Sequence, residues 1–385
     1  MQKQSGSAGD IDEDFGRDGS LISGKGEMGD FLVRQGQRTL MLARNQQRYV
    51  LSRFDDRGEM DSTFGVDGYL DDTFDEAGHS TVSSLQFDAA SGVISVCGRV
   101  RLGGVWQSAI SRYDFDGRPA VGASAMAAQA PDRTVFNFYR QETAYAGFAS
   151  FLVAVTRDDQ PDLSFNGSGS LELTYQGQAL QIRSVTAHTD GYLVTASQPG
   201  GNGVASALVA RVRQDGTLDT RFGPDGSGFC SWAPPGEICV FSTLVVSADD
   251  TLIVIGTAAR NGEPKILCWS LTAQGRPRTP QPVILAPHLA YPQIATATRL
   301  PGGRIIVSGS SQIPGSFERG GLLLGLTDQG ALDPGFAETG WLLSAPYREY
   351  LAVSADESGG VQVAGHVFDL DDFESTPTVW RYWAR

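Results

Sequence analysis

An Asp-x-x-Phe-Gly block recurs along the chain and limits its fold more than any other feature. Full copies stand at Asp12 to Phe15-Gly16, Asp61 to Phe64-Gly65 and Asp219 to Phe222-Gly223, with looser copies at Asp162 to Phe165 and Asp333 to Phe336. Phe165 and Phe222 are 57 residues apart, and Phe222 and Phe336 are 114 apart, twice that spacing. A degraded copy, Gln274-Gly275-Arg276-Pro277, fills the gap, and another, Asp116-Gly117-Arg118-Pro119, lies between Phe64 and Phe165. A fixed period of this size is the mark of a repeat architecture.

Each block follows the same alternating strand. Its copies are Val50–Phe54, Ala109–Tyr113, Phe151–Val155, Leu208–Val212, Leu267–Leu271, Leu322–Leu326 and Thr378–Tyr382. Upstream of these lie strand–turn–strand units with Asp and Gly in the turn, such as Val245–Ile255 around Asp249-Asp250. Such runs signal hairpins, and no segment keeps a helical period. Four strands per repeat and seven repeats predict an all-β chain, a seven-bladed β-propeller of four-stranded blades. The last repeat ends after its third strand, while Ser20–Ser23 follows the first block as a spare outer strand. The N-terminal strand is therefore expected to complete the C-terminal blade and close the ring. Residues 1–10 are expected to be a disordered tail and residues 11–385 a single domain. The boundaries of blades two and five are the least defined, because their blocks are degraded.

The stretch Asp215-Gly216-Thr217-Leu218-Asp219-Thr220-Arg221-Phe222-Gly223-Pro224-Asp225-Gly226 resembles the repeat of the delta-sixty family of bacterial β-propellers. The resemblance covers nearly the whole chain. It implies a propeller and a bacterial source, and brings no shared catalytic set. The block residues themselves (Asp12, Phe15, Asp61, Phe64, Asp162, Phe165, Asp219, Phe222, Asp333 and Phe336) read as structural. Asp would cap a single helical turn, Phe would bury between blades, and Gly would take a positive φ.

Formal charge is −14, from 30 Lys+Arg against 44 Asp+Glu, which argues against a phosphate-tracking surface and hence against nucleic acid. No apolar run reaches the ~20 residues of a membrane span, so no membrane insertion is expected. The polar start, Met1 to Asp10, suggests a cytoplasmic protein or one exported without a classical signal peptide. Cys97 and Cys268 lie in apolar runs, and Cys230 and Cys239 flank Pro234-Pro235-Gly236 without a Cys-x-x-Cys spacing. Reduced, structural thiols are expected.

Candidate binding residues gather on the predicted face that carries the second-to-third strand loops. They are two acidic clusters, one with Asp71, Asp72 and Asp75, the other with Asp369, Asp371 and Asp372, and the aromatic residues Tyr291, Tyr347 and Tyr350. Such a rim would favour a cationic partner, and the second cluster offers oxygen donors suited to calcium. His79, His288 and His366 share that face, with His188 opposite, but their spacing does not show convergence on a metal. Neither a Gly-x-Ser-x-Gly elbow nor a His-Glu-x-x-His helix is present. The inner strands near Ser242–Ser247 and Ala295–Thr298 offer few acids or bases to a funnel. The expectation is therefore a non-catalytic binding or scaffold module, monomeric and without cofactor or metal, that presents a rigid face to a protein or glycan. The alternative is a carbohydrate-active enzyme with a carboxylate or divalent-ion site in the funnel.

Overall fold

A computed structural model describes residues 6–76, 79–120, 133–141, 148–189, 191–199, 205–356 and 358–384. The chain is an all-β, seven-bladed propeller. Blade 1 comprises Met28–Gln35, Arg38–Asn45, Arg48–Asp55 and Tyr69–Asp72, paired antiparallel in that order from the axis outward. Blades 4, 5 and 6 repeat the pattern from Gln181–His188, Glu237–Val246 and Ala290–Arg299 as first strands. Among the described residues, blade 2 shows its first three strands, from His79–Asp88, and blade 3 its second to fourth, from Arg133–Gln141, and residues 121–132 between them lie outside the description. The outer strand expected for blade 2 falls in that segment.

Blade 7 is built from both ends of the chain. Arg348–Ala355, Gly360–Phe368 and Ser375–Trp383 are followed, at the outer edge, by Ser20–Ile22, in register Ser20↔Trp380, Leu21↔Val379 and Ile22↔Thr378. Blade 1 packs on blade 7, which closes the ring. The expected tail is shorter than residues 1–10. Gly9 N donates to Trp383 O (2.8 Å), Trp383 N donates to Asp10 O (2.9 Å), and Ala8 is buried. Residues 1–5 lie outside the described residues.

The recurring block joins five of the seven blades to the next. Phe15, Phe64, Phe165, Phe222 and Phe336 are all fully buried. The residue after each Phe donates its N–H to the next blade, as in Gly65 N to Asp116 O (3.0 Å) and Gly223 N to Gln274 O (2.8 Å). Gly275 shows why the next blade needs glycine over the ring. Its φ is +74°, and a Cβ there would come 2.4 Å from the Phe222 ring.

The acidic residue of the block does more than cap. Asp61 and Asp219 do accept the N–H two residues on (3.1 and 3.2 Å), though the turn is not helical. The other oxygen holds an arginine that also reaches the following blade. Arg211 Nε donates to Asp219 (2.9 Å) while its Nη1 donates to Ala273 O (3.1 Å). Arg304 likewise bridges Asp333 and Ala384 O, both at 2.7 Å. Arg53 joins Asp61 to the Phe115 carbonyl, and Arg133 joins Asp162 to the Gln214 carbonyl. These carboxylates are structural, and the arginines were missed because they lie on other elements, up to 29 residues from the Asp they meet. All four cysteines are free and buried, and burial pushes their thiols up to about 12.

Candidate functional site

Six of the first strands carry a bulge at the same level. Pairing with the second strand slips at Asp30, Ser83, Arg183, Ser242, Ala295-Thr296 and Leu351. Opposite the residue before each bulge, four blades place a glycine: Gly98, Gly256, Gly309 and Gly365. A Cβ at Gly365 would lie 1.7 Å from Glu349 O, so the strands approach too closely there for a side chain. Bulges re-aim side chains and recur beside functional sites. Here they form a ring around the axis.

Where blades 6, 7 and 1 meet, this ring is strongly ionisable. Asp30, on the blade 1 bulge, takes Arg44 through Nε (2.5 Å) and Nη2 (2.9 Å). Burial outweighs that guanidinium and holds the Asp30 carboxyl above its usual range. Glu349 opens blade 7 and faces Arg319 Nε at 3.5 Å. Arg319 also donates to Ser310 Oγ (2.8 Å) and Tyr291 O (3.1 Å), so it ties blade 6 to blade 7.

His366 sits between these two pairs. It is the direct cross-strand partner of Glu349, is 8% exposed, and its Nδ1 has no hydrogen-bond partner. Burial lowers its pKa; Glu349 and Asp30 act against this, and Arg44 adds to it. The imidazole is therefore neutral at pH 7, and its buried Nδ1 is engaged by no other protein group. That is the chemistry of a general base. Side-chain exposure is 46% for Arg44 and 11% for Asp30, so the cluster opens to solvent past the guanidinium.

The residues expected to bind do not assemble into one site. Asp71 is paired with Arg48 (2.7 Å). Asp72 accepts from Tyr113 Oη (2.7 Å), which is itself bonded to Tyr49 Oη, a structural chain at the blade 1–2 seam. The carbonyl of Asp75 accepts from Thr73 Oγ1 (3.1 Å). Asp369 and Asp372 are exposed and accept the N–H groups of Asp371 and Glu374 from their own loop (2.8 and 3.0 Å). Among the described residues, no group of three or more His, Cys, Asp or Glu gathers as metal ligands, and His79 and His288 are exposed while His366 is buried.

Of the three tyrosines, Tyr291 is half-exposed and Tyr347 donates to Glu318. Tyr350 is fully buried, bonded to Tyr382 Oη (2.5 Å) and packed 5.0 Å from Trp380, so it is a core residue and not a binding one. Only His366 and Tyr291 were singled out from sequence and lie in the cluster. Asp30, Arg44, Arg319 and Glu349 were missed. A signal for the ring existed in the repeated pattern of Val96-Cys97-Gly98, Val254-Ile255-Gly256, Val307-Ser308-Gly309 and Val363-Ala364-Gly365.

No protein-family profile matches the sequence, and neither does any curated protein. Among solved structures, the chain is similar to the polysaccharide lyase Uly1, at 8% identity and TM-score 0.53, over 96% of this chain and 93% of that one. It also overlays on the NanB sialidase from Streptococcus pneumoniae (10% identity, TM-score 0.45, 94% and 70% covered). A third match is an acylaminoacyl peptidase from Pyrococcus horikoshii (9% identity, TM-score 0.46, 94% and 52% covered). At such identities the likeness speaks to the fold alone.

The expectation of a non-catalytic module is nevertheless corrected. A solved structure of similar fold along nearly the whole length of this chain is that of a polysaccharide lyase, so the absence of nucleophile signatures is no ground for excluding catalysis. Nor is the funnel poor in ionisable groups: Ser242–Ser247 and Ala295–Thr298 belong to blades 5 and 6, whereas the acids and bases stand on blades 7 and 1.

Proposed function

We propose that this protein is a carbohydrate-active enzyme whose site lies at the funnel mouth where blades 6, 7 and 1 meet. The observation that carries the reading is His366, a neutral imidazole with an unpartnered Nδ1, held between the Asp30–Arg44 and Glu349–Arg319 pairs. His366 takes the role of general base. Asp30 holds Arg44 in place, and the two arginines orient substrate hydroxyl or acid groups. The similarity to a propeller polysaccharide lyase supports carbohydrate as the substrate class. The delta-sixty resemblance remains our reading of the repeat, supported by its consistent use as an inter-blade joint.

The test is a screen of neutral and acidic polysaccharides for depolymerisation, read by reducing ends and by absorbance of unsaturated products. Activity lost in His366→Ala with an unchanged melting temperature supports the assignment. Full activity in that variant overturns it.

A further inference from the structure

A cavity adjoins the His366 cluster. Asp30 and Phe31 are consecutive at the blade 1 bulge; Asp30 turns to Arg44, and Phe31 lines a cavity of about 330 Å3. The other walls come from Ser83 and Arg99 of blade 2, Asn137 of blade 3 and Arg183 of blade 4. In a ring of blades, only the axial funnel touches four in succession, so this cavity is part of the funnel.

Its charge is opposite to that of the molecule. The protein carries −14, yet the described residues of the lining include two guanidiniums, Arg99 and Arg183, and no carboxylate. Arg183 stands on the blade 4 bulge and is steadied by two neutral groups, Ser197 Oγ (3.2 Å) and Gln181 Oε1 (3.0 Å). Arg99 stacks on Trp106, 4.2 Å from the ring centroid. At the bulge where blade 1 carries Asp30, blade 2 carries Ser83, so the acid of the first cluster has no counterpart in the second. A guanidinium fork held in advance, as at Arg183, suits a planar carboxylate or a sulfate, and loses little freedom on binding it. Phe31 offers an apolar wall of the kind that sugar rings stack against.

We propose that this cavity is an acid-recognising subsite: it holds the carboxylate or sulfate of an acidic glycan whose chain continues toward His366. The inference rests on the carbohydrate reading above, and it names the substrate class. Calorimetric titration with oligogalacturonate and its fully methyl-esterified form tests carboxylate recognition. Dextran sulfate against dextran tests sulfate. At least one acidic probe should bind tenfold or more tighter than its neutral counterpart, and more weakly as salt rises. Arg183→Gln should erase that preference, with the neutral Arg183→Met in its place if the Gln variant unfolds.

Equal binding of acidic and neutral forms, or an unchanged preference in the Arg183 variant, overturns the subsite and leaves the carbohydrate reading standing. Charge-selective binding that depends on Arg183, without turnover of any glycan, keeps the subsite and removes the enzyme. No glycan binding at all overturns both.

Discussion

Asp12 and Arg381, from opposite ends of the chain, form a buried ion pair inside blade 7. Arg381 Nε also donates to Asp356 (2.8 Å), and Asp12 N donates to Arg381 O (2.8 Å). The pair fastens the N-terminal segment to the C-terminal strand at the point where the ring closes.

Removing one member of such a pair leaves the other charge buried. Asp12→Ala should therefore cost on the order of 3 kcal/mol, the lower end for one-sided loss of a buried pair, since Asp356 still faces Arg381. Deleting residues 1–23 should cost more, because the fourth strand of blade 7 goes with them. Urea denaturation measures both. A loss under about 0.5 kcal/mol for Asp12→Ala, typical of surface changes, would mean closure does not depend on this contact.

The inter-blade joint makes a second prediction. Phe222→Ala should destabilise by about 3–5 kcal/mol, as other buried aromatic truncations do. Gly275→Ala should also destabilise, because the added Cβ would meet the Phe222 ring at 2.4 Å on a backbone with φ +74°. Reversible denaturation in which Gly275→Ala is neutral would show that the ring has room to move.

Acid should weaken the propeller through the carboxylates of the block. At Asp219 burial alone would raise the pKa, but hydrogen bonds from Arg221, Arg213 and Arg211 outweigh it and the carboxyl is held well below 3.8. Asp61 and Asp333 shift in the same direction, with burial again outweighed, and so does Asp162, through Ser164 and Arg133. Their folded values lie below the unfolded one, so the unfolded chain binds more protons between the two. Stability from these groups is complete above about pH 4 and is lost as pH falls through the folded values. Asp219→Asn should flatten that slope in melting temperature against pH. An unaltered slope would exclude Asp219 as a contributor.

The fourth prediction concerns catalysis. Because burial lowers the His366 pKa from 6.5, the base should remain deprotonated, and activity should persist, as pH falls through 6.5. The acidic limb should appear only below that value. Glu349→Gln and Asp30→Asn each remove a charge that favours the protonated ring, so each should move the limb to still lower pH. A limb centred at or above 6.5 would show that another group carries it. His366→Ala should lower kcat by roughly 10²–10⁴-fold, the usual worth of a general base.

Much of the architecture was legible because propeller repeats are written locally. The Asp-x-x-Phe block, the alternating third strands and the strand left over near Leu21 each report on neighbours close in sequence, and seven copies reinforced one another. Blades 2 and 3 read less clearly, since the block between them lacks its phenylalanine. The site was legible only in fragments. His366 stood out as one of four histidines, while Tyr350 was misplaced because an aromatic at a strand start looks alike whether it faces solvent or Trp380.

By itself, then, the sequence determined the number of blades, their order and the way the ring is closed. Those follow from hydrophobic alternation and turn chemistry, which act over a few residues. Only the tertiary structure decided that Asp30, Arg44, Arg319, Glu349 and His366 would share one corner of the funnel. They come from three blades, and Asp30 and Glu349 stand at opposite ends of the sequence. Closing a ring brings such distant strands together, and burial at the seam then sets their charge state. No local pattern encodes either step.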